Sequence, residues 1–162
     1  MALSQVVGTK RDGTITIKDN GANTMVVTFD VGDFTFTEPK ADRVVIRTRG
    51  AITGLRKGDD AVGSCGFSVH FSEFTNAAAT TLMDFCYQRN AASAYASTGG
   101  TGFEQFLVTV EYKCDKTALG DASGAQAILD KVLLTCDFSE GDSSTLSVTG
   151  EVYGSITYTG IT

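Results

Sequence analysis

The alternation of apolar and polar residues is clearest near the end of the chain. From residue 144, STLSVTGEVYGSITYT places Leu146, Val148, Val152, Ile156 and Tyr158 on one face and mainly Ser, Thr and Glu on the other. Before it, AQAILDKVLLTCDF places Ile128, Val132, Leu134, Cys136 and Phe138 on one parity, and SEGDS supplies a turn. A period of two predicts strands that are buried on one face. We therefore predict a hairpin with arms about twice the usual length, and its uncovered edge invites another chain.

Shorter alternating segments predict further strands. Turn signals at Asp12-Gly13, Asp19-Asn20-Gly21 and Val31-Gly32-Asp33 bracket TITIK, TMVVTFD and DFTFT, and SCGFSVHFS and FEQFLVTVEYKC alternate in the same way. By contrast, DRVVIRTRGAITGLRKGDDAVG begins as a strand and then meets three glycines, which disfavour regular pairing. Residues 50–61 are therefore predicted to form a long exposed loop, and 115–124 (DKTALGDASG) a second loop.

One segment has helical periodicity. Over residues 76–90, Leu82, Phe85 and Cys86 share a face, and Thr75 or Asn76 can cap the first turn. At 162 residues the chain is predicted to be a single domain, 1–162. The expected class is mainly β: an antiparallel β-sandwich or partial barrel of about eight strands, with one flanking α-helix and long loops.

Charge is distributed unevenly along the chain. Residues 1–100 are balanced, whereas residues 101–162 hold three basic side chains against nine acidic ones, so the net charge of −6 lies in the last third. Residues 40–57 have the opposite bias, with six basic side chains and only Asp42 as an acid. Such a chain can attract copies of itself head to tail, which is a contact that makes rings or filaments. A solvated loop explains the basic segment equally well.

The cysteines and the apolar runs indicate the kind of compartment in which the protein is made. Cys65, Cys86, Cys114 and Cys136 have no CxxC spacing, so they are predicted to be buried free thiols rather than zinc ligands, with disulfides as the lesser alternative. No apolar run is long enough for a membrane span, and the first residues lack the features of a secretory signal. We expect a soluble protein made in a cytoplasm, with no membrane partner.

No motif predicts an active site, a cofactor or a metal. His70 is the one histidine and lies on the polar parity of its strand, which favours a hydrogen-bonded surface residue over a catalytic base. The Gly141–Ser144 segment is a turn rather than a nucleophile elbow. Asp59-Asp60 lacks the spaced oxygens of a calcium loop. We predict a protein that is not an enzyme, with no catalytic, cofactor-binding or metal-binding residues.

The acidic balance also argues against ordinary nucleic-acid binding. An acidic face rich in Ser and Thr would repel phosphates, which suits a channel wall along which DNA must slide without specific binding. Strand parity offers Glu111, Asp137, Thr149 and Glu151 as candidates for such a face.

The chain resembles the tail tube (major tail) proteins of tailed bacteriophages, a family related in fold to the tube proteins of type VI secretion and contractile injection systems. The resemblance rests on VVIRTRGAITGLRKGDDAVGSCGFSVHF, the helix after it, and the ending LLTCDFSEGDSSTLSVTGEVYGSI with its acidic turn. It implies a β-sandwich-like fold, hexameric rings stacked into a hollow tube, and an inner sheet that joins those of its neighbours in a continuous barrel. The implied setting is the virion tail, with assembly in the host cytoplasm, other tail proteins at the tube ends, and DNA in the lumen.

The resemblance also implies where copies meet. The loop around residues 47–60 would reach a neighbouring subunit or ring. The residues implied in that contact are Arg47, Arg49, Arg56, Lys57, Asp59 and Asp60.

Two alternatives remain. One is a tube protein of a contractile injection or type VI secretion system. The other is a monomeric β-sandwich module that binds a ligand. The second alternative predicts a cluster of exposed aromatic rings, whereas parity assigns Phe67, Phe71, Phe106, Phe138 and Tyr158 to the core.

Overall fold

The computed structural model describes residues 13–27, 34–114 and 124–160. Within them the strands are β1 Gly13–Lys18, β2 Thr24–Val26, β3 Thr35–Thr37, β4 Arg43–Thr48, β5 Ala51–Lys57, β6 Gly63–His70, β7 Val108–Cys114, β8 Ala125–Ser139, β9 Thr145–Val152 and β10 Ile156–Thr159. One α-helix, α1, spans Leu82–Cys86, and a 3₁₀ helix spans Asn90–Ala94. The predicted mainly β, antiparallel class is confirmed. The turns predicted at 12–13 and 31–33 and the loop at 115–124 lie wholly or partly outside the described residues.

Eight of the strands form one antiparallel sheet. Its order is β2-β1-β7-β8-β9-β6-β3, and β10 also pairs with β8. The predicted terminal hairpin is present, because β8 and β9 pair from Val132–Val152 to Ser139–Thr145. The remaining two strands, β4 and β5, pair only with each other.

Strand β8 changes both its partners and its inward parity at Lys131. Its first half pairs with β7 and β10, and its second half pairs with β9. Lys131 has a φ of 53°, and the β7–β8 register shifts between Val108 and Val110. A bulge adds one residue to a strand, so the parity that faces inward reverses beyond it. Leu129 is therefore fully buried while Ile128 is only half-buried, and the predicted inward position of Ile128 is wrong.

The link between β9 and β10 fits against this bulge. The Gly154 N–H donates to the Asp130 carbonyl at 3.1 Å, and the Tyr153 N–H donates to the Lys131 carbonyl at 3.1 Å. A Cβ on Gly154 would lie 2.5 Å from the Asp130 oxygen, so only glycine allows this approach. Because of this link, β9 pairs with β8 after the bulge and β10 pairs with β8 before it.

The bend brings the two halves of the sheet face to face around the core. The ring of Phe34, just before β3, stacks on Tyr112 of β7 with centroids 5.0 Å apart. At the edge, the Tyr158 hydroxyl of β10 donates to a Glu38 carboxylate oxygen at 2.7 Å. Buried aliphatic side chains from both halves, such as Ile17 and Val148, belong to one cluster. The predicted sandwich thus arises from one strongly bent, unclosed sheet.

All four cysteines are buried free thiols, as predicted. Burial raises the pKa of Cys65 to about 11. The sulfur atoms of Cys86 on α1 and Cys136 on β8 are 2.8 Å apart, so this pair lies where the helix packs on the sheet.

The helix is present but much shorter than the predicted 76–90. Thr81 caps it, because its hydroxyl accepts the Asp84 N–H at 3.1 Å. Asn76 instead closes a separate turn, since its side-chain oxygen accepts the N–H groups of Ala78 and Ala79. The predicted cap at Thr75 or Asn76 is therefore wrong for α1. The predicted buried face is confirmed for Phe85 and Cys86, which are buried, while Leu82 packs against the core from a partly buried position.

The predicted loop at 50–61 is also wrong. Residues 51–57 form β5, which pairs with β4. The glycines do not prevent pairing, because Gly50 lies in the connecting turn and Gly54 lies opposite Ile46 within the ladder.

Candidate assembly surfaces

The hairpin of β4 and β5, residues 43–57, is called the arm. Its strands are joined by the two-residue turn Arg49-Gly50, with φ values of 50° and 87°. Positive φ at both positions is typical of a type I′ turn, which matches the right-handed twist of a hairpin. A register irregularity lies between Ile46 and Arg47, and the Thr53 hydroxyl there donates to the Ile46 carbonyl at 3.2 Å. The arm is thus a two-stranded hairpin whose pairing shifts register once, between Ile46 and Arg47.

The arm has no partner within the described part of its own chain. Every residue of β4 is exposed, as is every residue of β5 except Gly54. Neither strand contacts another strand or helix. Exposed apolar side chains on it include Ile52 at 64% and Leu55 at 63% exposure. A lone two-stranded hairpin is marginal in water, so the arm has the composition of a surface that another chain covers.

Apolar and basic side chains share one face of the arm. Directly opposite residues of an antiparallel pair project to the same side. The pairs on this face are Arg43 with Lys57, Val45 with Leu55, and Arg47 with Ile52. The face therefore combines three apolar and three basic side chains, which matches an apolar surface with an acidic rim.

The predicted contact residues lie on the arm and at its base. Arg47 and Arg56 lie within the strands, and Arg49 lies in the turn. Lys57 pairs with Asp60 at 2.5 Å, and the Asp59 carbonyl accepts the Asp42 N–H at 3.0 Å across the base. Among the described residues, no carboxylate forms an ion pair with the four arginines of the arm.

The residues missed from the sequence are the apolar ones of the arm. Val44, Val45, Ile46, Ile52 and Leu55 are exposed. The signal was present, since two β-prone runs flank an Arg-Gly pair. It was outweighed by the three glycines, which suggested an irregular loop.

A second surface lies on the exposed face of β8 and β9. Asp137, Thr149 and Glu151 lie on this face, as predicted from parity. The hydroxyls of Thr135 and Thr149 are 2.7 Å apart across the two strands. The Tyr153 hydroxyl donates to Glu151 at 2.5 Å, and this bond raises the pKa of Tyr153. A groove of about 640 Å³ between β3 and β8 is lined largely by Ser, Thr and Gly. We call the exposed face of β8 and β9 the polar face.

Glu111 lies apart from the other three candidates. It is on β7, in the half of the sheet before the bulge, and its carboxylate forms an ion pair with Lys18 of β1. Thr16 is its partner in the ladder. The structure thus brings together three of the four acidic or hydroxyl candidates.

Two aromatic rings that parity assigned to the core are exposed. Phe138 and Tyr158 are 39% and 43% exposed, so their assignment to the core is wrong. Phe67 is buried as predicted, and Phe71 and Phe106 are partly buried. Phe138 is the second-last residue of β8, and its ring contacts Phe71 and Phe74 outside the core cluster. Strand parity does not show where along a strand the core ends.

Candidate chemistry is sparse in the described ranges. His70 is an exposed, hydrogen-bonded residue, as predicted, with Nδ1 2.9 Å from the Ser143 hydroxyl. No described carboxylate bonds to this imidazole in the way that a catalytic triad requires. Within those ranges no group of three or more His, Cys, Asp or Glu side chains could hold a metal ion. None of the described helices is long and apolar enough to cross a membrane.

The fold is that of chains found in contractile injection particles. Comparisons with models of protein families and with curated proteins give no match. Among solved structures, the chain is similar to a chain of the sheath-tube complex of an extracellular contractile injection system, PVC, in its extended state. That match has a TM-score of 0.61 and 9% identity, and covers 97% of this chain and 94% of the other.

Two further structures agree with the first. A chain of the PVC sheath/tube terminator matches with a TM-score of 0.61 at 10% identity, covering 97% of this chain and 99% of the other. A chain of the anti-feeding prophage baseplate matches with a TM-score of 0.57 at 11% identity, covering 99% of each. The predicted relation in fold to contractile-injection tube proteins is confirmed.

Proposed function

We propose that this chain is a structural subunit that assembles into a hollow tube of stacked hexameric rings in a phage tail. The arm is the observation that carries the proposal. A hairpin that exposes apolar side chains on both faces and contacts no other described element of its chain needs a partner. The similar chains come from multi-subunit particles that include a sheath-tube complex. The tube would be made in the host cytoplasm and would meet other tail proteins at its ends.

The polar face would line the lumen. Asp137, Thr149 and Glu151 present hydroxyl and carboxylate groups on it. Such a wall repels phosphates and lets DNA pass without specific binding. Glu111 is the weaker candidate, because Lys18 offsets its charge. The arm would contact a neighbouring subunit or ring through Arg47, Arg49, Arg56 and Lys57, with Asp59 and Asp60 at its base.

A second candidate is the tube of a contractile injection system, in which the cargo need not be DNA. The observation that favours it is the source of the similar structures, which are contractile injection particles. Purified particles distinguish the two candidates. A tube packed inside a contractile sheath and free of DNA would favour the injection system, whereas a DNA-filled capsid attached to the tube would favour the phage tail.

The test of assembly is a concentration series followed by sedimentation and negative-stain microscopy. The chain is expected to form rings and hollow filaments as its concentration rises. A strictly monomeric species under all conditions would contradict the proposal.

Charge reversal tests the role of the arm. Arg49→Glu, Arg56→Glu and Lys57→Glu together should raise the concentration needed for assembly roughly tenfold or more, because they repel an acidic partner surface. The unfolding free energy should change by less than about 1 kcal/mol, since exposed charges contribute little to folding. Lys113→Glu, on an exposed position of β7, is the control and should assemble normally. Unchanged assembly of the triple variant would mean that the basic side chains of the arm are merely solvated.

A further inference from the structure

Three phenylalanines form an exposed patch at the end of the sheet opposite the arm. The ring centroids are 4.5 Å apart for Phe71 and Phe74, 4.7 Å for Phe71 and Phe138, and 4.9 Å for Phe74 and Phe138. Phe74 is 50% exposed and Phe138 is 39% exposed. Aromatic rings in mutual contact normally bury most of their area, and here two of the three remain open to water. We call these residues the aromatic patch.

Acidic side chains flank the aromatic patch along the chain. Glu73 lies between two of the rings in sequence. The turn that follows the third ring, between β8 and β9, adds Glu140 and Asp142, and all three acids are exposed. The segments 71–76 and 137–145 contain no lysine or arginine. An apolar centre with a polar rim is typical of a protein–protein contact, and this rim carries one sign of charge.

The arm has the complementary composition. One of its faces combines Val45, Ile52 and Leu55 with three basic side chains, and Arg49 extends from its turn. Its exposed aliphatic groups match the exposed rings of the patch, and its positive charge matches the rim.

The two surfaces also lie at opposite ends of the same strand. The base of the arm is tied at Asp42 and Gly58, shortly before β6 begins at Gly63. Phe71 directly follows the last residue of β6. Eight residues of strand span roughly 26 Å, and neither strand of the arm contacts β6, β8 or any other described strand or helix, so the arm and the patch are separate surfaces of one copy. A second copy placed head to tail brings the two together, in the heterologous manner that builds open or ring assemblies.

We propose that the aromatic patch receives the arm of a second copy of this chain. The inference rests on the proposed function, in that it names the partner surface of the same arm. Aliphatic side chains of the arm cover the three rings, and its arginines pair with the acidic rim. The contact is directional, because each copy offers an arm at one end of β6 and a patch at the other.

A charge swap tests this pairing. The patch reversal is Glu73→Arg, Glu140→Arg and Asp142→Arg, and the arm reversal is Arg43→Glu, Arg47→Glu and Arg49→Glu. Each reversal alone should raise the concentration needed for assembly roughly tenfold or more, and the combination should restore it to within about threefold of the original. The readout is sedimentation of each purified protein. Circular dichroism checks that all variants fold.

Mixing the two single reversals gives a second readout. The patch-reversed protein keeps a native arm, and the arm-reversed protein keeps a native patch. The mixture should co-assemble with the two proteins alternating, because the native arm fits the native patch and the reversed arm fits the reversed patch. Failure of the mixture to assemble beyond either protein alone would contradict the pairing. The neutral variant Phe74→Ser should weaken assembly without any change of charge, which separates apolar contact from electrostatics.

The outcomes separate this inference from the proposed function. If the patch-reversed protein assembles as well as the original, or if the combined variant shows both defects, the arm docks elsewhere and the tube proposal stands. If the charge swap rescues assembly but the products are open strings rather than hollow tubes, the pairing holds and the tube proposal fails. A chain that never assembles overturns both, and binding of a small sugar to the patch of a monomeric chain would instead favour a ligand-binding module.

Discussion

The two long hairpins of this protein have the same secondary structure and opposite surroundings. The hairpin of β8 and β9 has further strands on both sides and buries alternate side chains such as Leu134 and Val148. The arm is flanked by none of the other described strands, and both of its faces are exposed. Cross-strand pairing alone gives a hairpin little stability. The hairpin of β8 and β9 is therefore stable within its own subunit, whereas the arm would gain its stability from the docking that we propose.

A matched pair of leucines should show the largest difference. Leu129→Ala removes a fully buried side chain and should lower the unfolding free energy by about 3 kcal/mol. Leu55→Ala, on the arm, should change it by less than about 0.5 kcal/mol but should impair assembly. Urea denaturation of the monomer and sedimentation give the two readouts. An equal loss of folding stability in both variants would contradict the comparison.

A matched pair of glycines should give a smaller difference. A Cβ on Gly150 of β9 would lie 2.6 Å from the Cys65 sulfur and 2.8 Å from a Val132 methyl. Gly150→Ala should therefore cost about 2 kcal/mol of folding free energy, through overpacking. A Cβ on Gly54 of the arm meets only Ile46, at 3.7 Å, so Gly54→Ala should stay within about 0.5 kcal/mol of the original. Thermal unfolding of both variants checks this, and a destabilised Gly54→Ala variant would mean that the arm packs on its own subunit.

The pH dependence of the unfolding free energy should come from a buried carboxylate of the core, Asp84, rather than from the arm. Burial acts to raise the pKa of Asp84, but hydrogen bonds from Thr81, Asn90 and Asn76 outweigh it and hold this pKa below its usual value. A lowered folded-state pKa stabilises the protein above the unfolded-state pKa of about 3.9 and loses that contribution as the pH falls through the folded-state pKa. Asp84→Asn should lose about 1–2 kcal/mol at neutral pH and show a flatter decline in acid.

The control for that experiment is Asp60→Asn at the base of the arm. Asp60 is exposed and pairs only with Lys57, so its loss should leave the pH profile of the unfolding free energy unchanged. Identical profiles for the original protein and Asp84→Asn would show that other carboxylates set the acid limit.

Much of the fold could be predicted from alternation, because one face of most strands is buried. Cys65, Phe67 and Val69 of β6 and Leu146, Val148 and Val152 of β9 lie inward, as parity indicated. Parity failed at Ile128, because the bulge at Lys131 reverses the inward side. The bulge is packed against Gly154, whose N–H donates to the Asp130 carbonyl, and such a contact between distant residues leaves no trace in local periodicity.

Of the candidate assembly surfaces, only the charges could be predicted from the sequence. The basic residues of the arm and the acids of the polar face were evident, but the hairpin that carries the former was not. Its residues are exposed on both faces, so they leave no pattern of alternation. The aromatic patch was missed for the opposite reason: Phe138 keeps the parity of a core residue at a position where its side chain is 39% exposed.

Amide hydrogen exchange of residues 43–57, measured in the monomer and in the assembled state, tests the central claim most directly. The arm amides should exchange rapidly in the monomer, because within residues 13–27, 34–114 and 124–160 no third strand pairs with this hairpin and neither of its faces is buried. They should become strongly protected on assembly, and so should the amides of residues 71–76. Arm amides that are equally protected in the monomer, or that stay unprotected in the assembly, would contradict an arm that folds against a second copy.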